Sequence, residues 1–227
     1  APTDTQIPRQ RDSQGTQHVD YRGHRIFLRV DGPADAPALL LIHGFPTASW
    51  DWEALWPQLG QRWRVMAPDL IGFGFSDKPR AYDYSLVDQA DLCEAVLRRF
   101  GVDRYQVLAH DYGDSVAQEL VARQAPAERS GRPRLLSVCF LNGGLFPETH
   151  RPLLIQKLLI SPLGALVGRL TSRGRIAASM RAIFGAHSQP GEALLGGYWA
   201  LIAQGGGPRI MHKLIRYMRE RREQRAR

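Results

Sequence analysis

Hydrophobic positions along the chain follow two periodicities that alternate for the first two thirds of its length. Residues 17–21 and 24–30 alternate apolar and polar around Arg22-Gly23, the signature of a two-residue hairpin. Apolar-rich runs at Leu39–Ile42, Arg64–Ala67, Gln106–Ala109 and Leu135–Leu141 predict buried strands, the last of them carrying Cys139. Helical spacing predicts helices over about Trp50–Gly60, Ser85–Phe100 and Gly113–Gln124, with Ser85 as N-cap and Gly101 as C-cap. Strands alternating with helices imply an α/β class with a mainly parallel sheet, whose ligands bind beyond the carboxyl ends of the strands. From about Leu145 the strand signal stops. Gly164, Gly168, Gly174, Gly185 and Gly205–Gly207 then punctuate short apolar stretches, as in a helical lid. The expected division is a disordered segment over 1–16, an α/β core over 17–145 and a helical lid over 146–227.

The densest chemistry lies in Val107-Leu108-Ala109-His110-Asp111-Tyr112-Gly113-Asp114-Ser115-Val116. A short strand meets a turn and a helix starts beyond it, with small residues Ala109 and Gly113 two places either side of Asp111. This is the nucleophile-elbow pattern with aspartate at the apex instead of serine. Small flanks are needed because the apex backbone is strained and a larger Cβ would strike the neighbouring strand or helix. An aspartate at a helix N-terminus is favoured in its ionised form, and a carboxylate can attack carbon to form an ester without a base. A helix N-cap is the other role an aspartate takes at such a place.

Upstream, Leu39–Ile42 runs into His43-Gly44-Phe45-Pro46, the H-G-x-P that supplies an oxyanion-hole N–H in hydrolase folds. The expected donors are the backbone N–H groups of Phe45 and Tyr112. Between the two motifs lie Val65–Asp69 and Gly72-Phe73-Gly74-Phe75-Ser76-Asp77-Lys78-Pro79. Three such elements in this order favour an enzyme.

Together with Asn142-Gly143-Gly144-Leu145-Phe146-Pro147-Glu148-Thr149-His150-Arg151-Pro152, these motifs resemble the α/β-hydrolases with an aspartate nucleophile, meaning epoxide hydrolases and haloalkane dehalogenases. Within that group the chain is most similar to the mesoderm-specific transcript proteins and their bacterial relatives, from about Tyr21 to Arg222. The resemblance implies an α/β-hydrolase fold with a lid, a covalent ester on Asp111 and no cofactor. It also implies an acid and a histidine downstream of the lid. The seven histidines of this chain, His18, His24, His43, His110, His150, His187 and His212, include none in such a position, and Asn142 follows the sixth strand where some relatives carry the acid. A C-terminally truncated fold is therefore expected, with a non-catalytic binding protein as the other reading. Such a chain would form an ester and stop, and its open sheet edge would aggregate or pair with another chain.

In epoxide hydrolases a lid tyrosine donates a proton to the ring oxygen, and Leu214-Ile215-Arg216-Tyr217-Met218-Arg219 resembles that segment. Tyr217 is the candidate donor, or else an ordinary aromatic on an amphipathic helix. His43, His110, Trp199 and His150 are candidate pocket residues, Tyr198 a further one, and His150 serves equally as a cap at the start of the lid. Common dehalogenases bind halide with an indole after the nucleophile, and here that place holds Tyr112. The resemblance thus favours a small, neutral, apolar epoxide-like substrate over an alkyl halide.

Charge and cysteine content change this picture little. Six arginines and two glutamates in Arg216–Arg227 contribute half of the formal net charge of +8. A terminal cluster without aromatic interleaving or zinc spacing is expected to be a solvated helix end, so nucleic acid is not an expected partner. Two cysteines, Cys93 and Cys139, imply reduced core thiols, no metal site and a cytoplasmic setting. No apolar run reaches the roughly 18 residues of a membrane helix. Membrane association would then depend on an N-terminal anchor removed from this chain.

Overall fold

Strand β3, Ala38–Ile42, is buried at every position, which is what a wholly apolar strand in the middle of a two-faced sheet requires. The computed structural model describes residues 15–125, 131–148 and 152–226. Around β3 stand β1 (Thr16–Tyr21), β2 (His24–Asp31), β4 (Arg64–Pro68), β5 (Arg104–His110) and β6 (Arg134–Leu141) in the order β1-β2-β4-β3-β5-β6. β1–β2 and β2–β4 are antiparallel, whereas β4–β3–β5–β6 are parallel. The first hairpin turns at Arg22 and Gly23, both with positive φ (53° and 79°), as a twist-matched two-residue turn demands.

Helices α1 (Trp56–Leu59), α2 (Leu86–Arg99) and α3 (Tyr112–Ala122) belong to the α/β part. After β6 come α4 (Leu154–Ile160), α5 (Gly164–Arg169), α6 (Arg173–Ile183), α7 (Glu192–Ala203), α8 (Met211–Leu214) and α9 (Tyr217–Glu223). The larger core joins one face of the sheet to α2, α3 and the later helices. A smaller core of Leu39, Leu41, Trp52, Val65 and Ala67 fills the other face. The α2 caps lie where the sequence places them: Ser85 Oγ accepts from the Asp88 N–H at 3.1 Å, and Gly101 beyond the helix has φ 64°.

Three expectations are corrected. The helix over Trp50–Gly60 is instead a 3-10 turn, Ser49–Trp52, followed by α1. Pro57 has no N–H for the Glu53 carbonyl and its ring crowds that carbonyl, so a continuous helix is interrupted there. Cys139 is exposed, because β6 is the edge strand among the described residues and its side chains are half covered; Leu136 on the same strand is 44% exposed. The arginine-rich C-terminal segment is not wholly solvated, since Tyr217, Met218 and Arg221 on α9 are buried.

The anchor for α9 is Glu220. Its carboxylate accepts the Leu86 N–H on both oxygens at 2.9 Å, at the N-terminus of α2 where free N–H groups favour an anion. That contact fixes which side of α9 meets the core. No described helix is long and apolar enough to cross a membrane.

Candidate active site

Asp111 sits between β5 and α3 with φ 50° and ψ −106°, a conformation side-chain-bearing residues rarely adopt. The turn is held by what surrounds it. A Cβ on Gly113 would lie 2.3 Å from the Ile42 carbonyl oxygen, so only glycine lets α3 approach the end of β3 this closely. A Cβ on Gly44 would stand 3.1 Å from the Asp111 Cβ and 2.8 Å from His110 Nδ1. The aspartate's side chain does not cap α3 in the usual way; its Oδ2 accepts the Phe45 N–H at 3.0 Å. The Tyr112 N–H also stabilises the carboxylate.

Burial raises the Asp111 pKa above the ordinary carboxylate value. The Phe45 N–H, the charge of His110 and the Tyr112 N–H each pull it back down. The helix N-terminus was expected to keep this group ionised; its N–H groups act in that sense, but desolvation is the larger effect. Asp114, one turn into α3, is pushed up to about 7, chiefly by burial. Its carboxylate accepts the Leu141 N–H at 3.4 Å, and the Gly143 N–H also stabilises its ionised form.

Tyr112 contributes backbone only. Its ring is buried against Phe73 at 5.2 Å and Tyr217 at 4.8 Å. Tyr217 also faces Phe45, at 6.5 Å between ring centres. Burial, and next the charge of Asp111, push the Tyr217 pKa upward, so its phenol keeps its proton. Phe45, Asp111, Tyr112 and Tyr217 are thus brought together.

The four predicted pocket residues have different placements. His43 is fully buried; its Nδ1 faces the Gly44 carbonyl at 2.9 Å and its Nε2 accepts the Leu70 N–H at 3.0 Å. That pairing requires the Nδ1–H tautomer and leaves no ring atom for a substrate, so His43 locks the loop after β3 rather than lining a pocket. His110 is partly exposed beside Asp111, with Nδ1 3.9 Å from Asp51 Oδ2. Hydrogen bonding to Asp51 raises its pKa, against the opposing effect of burial. Trp199 is half-buried and packs on the main core, and its neighbour Tyr198 stands 5.2 Å from the Trp50 ring. His150 lies outside the described residues.

The G-F-G-F-S-D-K-P stretch proves to be scaffolding. Asp69 accepts the Ser49 N–H at 2.8 Å and the Phe75 N–H at 2.7 Å, and Lys78 Nζ donates to the Gly74 carbonyl. Gly74 has φ 47° and no room for a Cβ, which would lie 2.0 Å from Asp69 Oδ2.

Two functional candidates escaped the sequence reading. Asp51 gathers the Gly44 N–H at 3.3 Å, the Thr47 hydroxyl and His110, and nothing in Trp50-Asp51-Trp52 signals this. Arg221 is buried one helical turn after Tyr217, and the i,i+4 spacing on α9 was the available clue. Among the described residues no cluster of His, Cys, Asp or Glu could hold a metal ion.

A strained aspartate on a strand–helix turn, facing an N–H at the end of the neighbouring strand, defines an α/β-hydrolase architecture. Residues 37–155 match the α/β hydrolase fold family, and the chain belongs to that family. It is 43% identical over 214 residues to the mesoderm-specific transcript protein of Mus musculus, covering 91% of this chain and 64% of that protein. It thus spans less than two thirds of that relative's length. Among solved structures it is similar to the epoxide hydrolase CorEH (TM-score 0.75, 19% identity, 89% of this chain and 72% of that one). It is also similar to the haloalkane dehalogenase DbeA of Bradyrhizobium elkani USDA94 (TM-score 0.71, 26% identity, 89% and 69%).

Proposed function

We propose that the protein is a hydrolase of the aspartate-nucleophile α/β class, acting on a small apolar epoxide through an ester on Asp111. The observation that carries this reading is the division of labour between the two carboxylate oxygens. The Phe45 N–H holds Oδ2, so in this reading Oδ1 is the oxygen that attacks. As Oδ1 bonds to the ring carbon, the carbon–oxygen bond of the epoxide breaks and the alkoxide takes the Tyr217 phenolic proton. Oδ2 becomes the ester carbonyl oxygen, already seated against the Phe45 N–H, and in this reading that group and the Tyr112 N–H stabilise the oxyanion formed on hydrolysis.

A buried, protonated Tyr217 beside the nucleophile favours an epoxide, whose leaving oxygen needs a proton, over a halide, which does not. The name of CorEH agrees with the first and that of DbeA with the second. In this reading the helices after β6 form a lid over the site, and hydrolysis of the ester is a separate step requiring a base.

The test is to incubate the protein with styrene oxide and map adducts by mass spectrometry. A hydroxyalkyl ester on the Asp111 peptide, absent in Asp111→Ala, supports the assignment. An adduct confined to another residue overturns it.

A further inference from the structure

Helices α4 and α5 pack by one side only. Leu159 is buried on α4, and Gly164 and Gly168 form the packed side of α5. A Cβ on Gly164 would stand 1.9 Å from the Leu159 carbonyl oxygen and 3.0 Å from the His212 Cβ on α8. One on Gly168 would stand 2.5 Å from the Pro208 carbonyl oxygen. The opposite side is apolar and bare. By helical spacing Leu154, Ile155 and Leu158 share one side of α4, and Leu163, Leu166 and Leu170 run as a stripe along α5 and its two ends. All six are 39–73% exposed. Eight of the thirteen large apolar side chains exposed among the described residues fall between Leu153 and Ile183, a concentration that marks an interaction surface.

The edge of this face is basic. Arg169, between Leu166 and Leu170, joins Arg80 and Arg209 around an open pocket of about 730 Å³. All three arginines are exposed, and none forms an ion pair among the described residues. Burial, and then the charges of Lys213, Arg216 and Arg169, lower the pKa of His212, so the ions felt beside α5 are cations. From Pro152 to Gly191 the sequence carries five Lys or Arg and no Asp or Glu. Arg173 and Arg181 pair with Glu192 beyond that stretch, which leaves Lys157, Arg169 and Arg175 without a carboxylate among the described residues. A second copy of the chain would bring these cations against themselves, which is unfavourable. A layer of anions above apolar chains complements both features.

We propose that the α4–α5 face docks on an anionic phospholipid bilayer, its six apolar side chains entering the interface and a lipid phosphate seated among Arg80, Arg169 and Arg209. This contact needs no membrane-spanning anchor. Its test reads binding, so it stands or falls apart from the Asp111 chemistry.

The experiment is co-sedimentation of the full chain with vesicles of phosphatidylcholine alone and of phosphatidylcholine mixed with phosphatidylglycerol. The mixed vesicles should bind at least about tenfold more tightly, as three arginines at an anionic surface imply. Leu163→Ser combined with Leu166→Ser should weaken binding to the mixed vesicles by about tenfold or more. Arg80→Gln, Arg169→Gln and Arg209→Gln together should cut the preference for the mixed vesicles by at least about fivefold. All five positions are exposed, so these variants keep the fold. Equal binding of the unaltered protein to both vesicles would overturn the proposal, as would vesicle binding that the leucine substitutions leave unchanged. Two further results would overturn it when vesicles do not bind: calorimetric binding of free glycerol phosphate, which would make the pocket a site for a soluble phosphate, and self-association that the leucine substitutions abolish, which would make the face a contact between copies.

Discussion

The backbone N–H of Phe45 lies 3.0 Å from Oδ2 of Asp111, a hydrogen bond between positions 66 residues apart that joins the end of β3 to the turn opening α3. It orients the aspartate by backbone, so the Phe45 side chain is left to shape the surroundings. Phe45→Leu should therefore cost less than tenfold in ester formation with styrene oxide, on the order of a uniform packing effect. Gly44→Val, whose branched side chain starts from a Cβ only 3.1 Å from that of Asp111, should cost far more. Rapid-quench mass spectrometry of the Asp111 peptide reads both.

Asp111→Asn should abolish ester formation and raise stability. The carboxylate is raised in pKa mainly by burial, so the protonated form is the one the fold favours. Its stabilising contribution is complete below the ordinary aspartate value and is lost as pH rises through the raised folded value. The advantage of Asp111→Asn should grow over that same window, reaching about 1–2 kcal/mol in urea melts, as for functional sites that store strain or desolvated charge. Ester formation by the unaltered protein needs the ionised group and should rise with pH over this range. A variant that melts below the parent at neutral pH would contradict the assignment.

Tyr217→Phe separates the two substrate classes. Loss of a general acid should slow opening of styrene oxide by about 10²–10⁴-fold. Reaction with 1-bromobutane, whose leaving group departs without a proton, should change by less than tenfold. Equal losses on both would make Tyr217 a packing residue only, consistent with its ring contact to Tyr112 at 4.8 Å.

Local signals made much of this legible. The hairpin at Arg22-Gly23, the cap at Ser85 and the small–x–Asp–x–small turn depend on residues within a few positions of one another, and each occurs where the pattern places it. What escaped depends on distance in the chain. The burial of Arg221 follows from Glu220 seated on the N–H of Leu86, 134 positions away, and a charge count could only assign the arginine cluster to solvent. Asp51 meets His110 because the broken helix before α1 turns it inward, which periodicity does not foresee. Cys139 has a buried strand's sequence and an edge strand's exposure, since apolar character does not reveal how many neighbours a strand has.

Close approach at the turn predicts opposite signs for two glycine substitutions. Gly113→Ala places a methyl group 2.3 Å from the Ile42 carbonyl oxygen and 2.9 Å from that of His43, and α3 must move outward. It should cost about 1–3 kcal/mol, as overpacking does, and ester formation should fall as Asp111 shifts from the Phe45 N–H. Gly174→Ala, in the first turn of α6 with open space at its Cβ, should stabilise by about 0.4–1 kcal/mol through the unfolded chain. Chemical melts of the two variants give the contrast directly.

The two cysteines should differ sharply in reactivity. Cys93 lies on α2, wholly enclosed, and burial pushes its thiol up to about 12, with the neighbouring Glu94 adding to the shift. Thiolate is the reactive species, so at pH 8 Cys93 is both inaccessible and almost entirely protonated. Cys139 is exposed on β6, whose outer edge has no partner strand among the described residues. A disulfide reagent such as dithionitrobenzoate should titrate one thiol per native chain within minutes and the second only in denaturant. Cys139→Ser should remove the fast phase and leave the slow one. Two fast thiols would mean that α2 opens readily from the sheet, and no fast thiol would mean that a further strand or another chain covers β6 in solution.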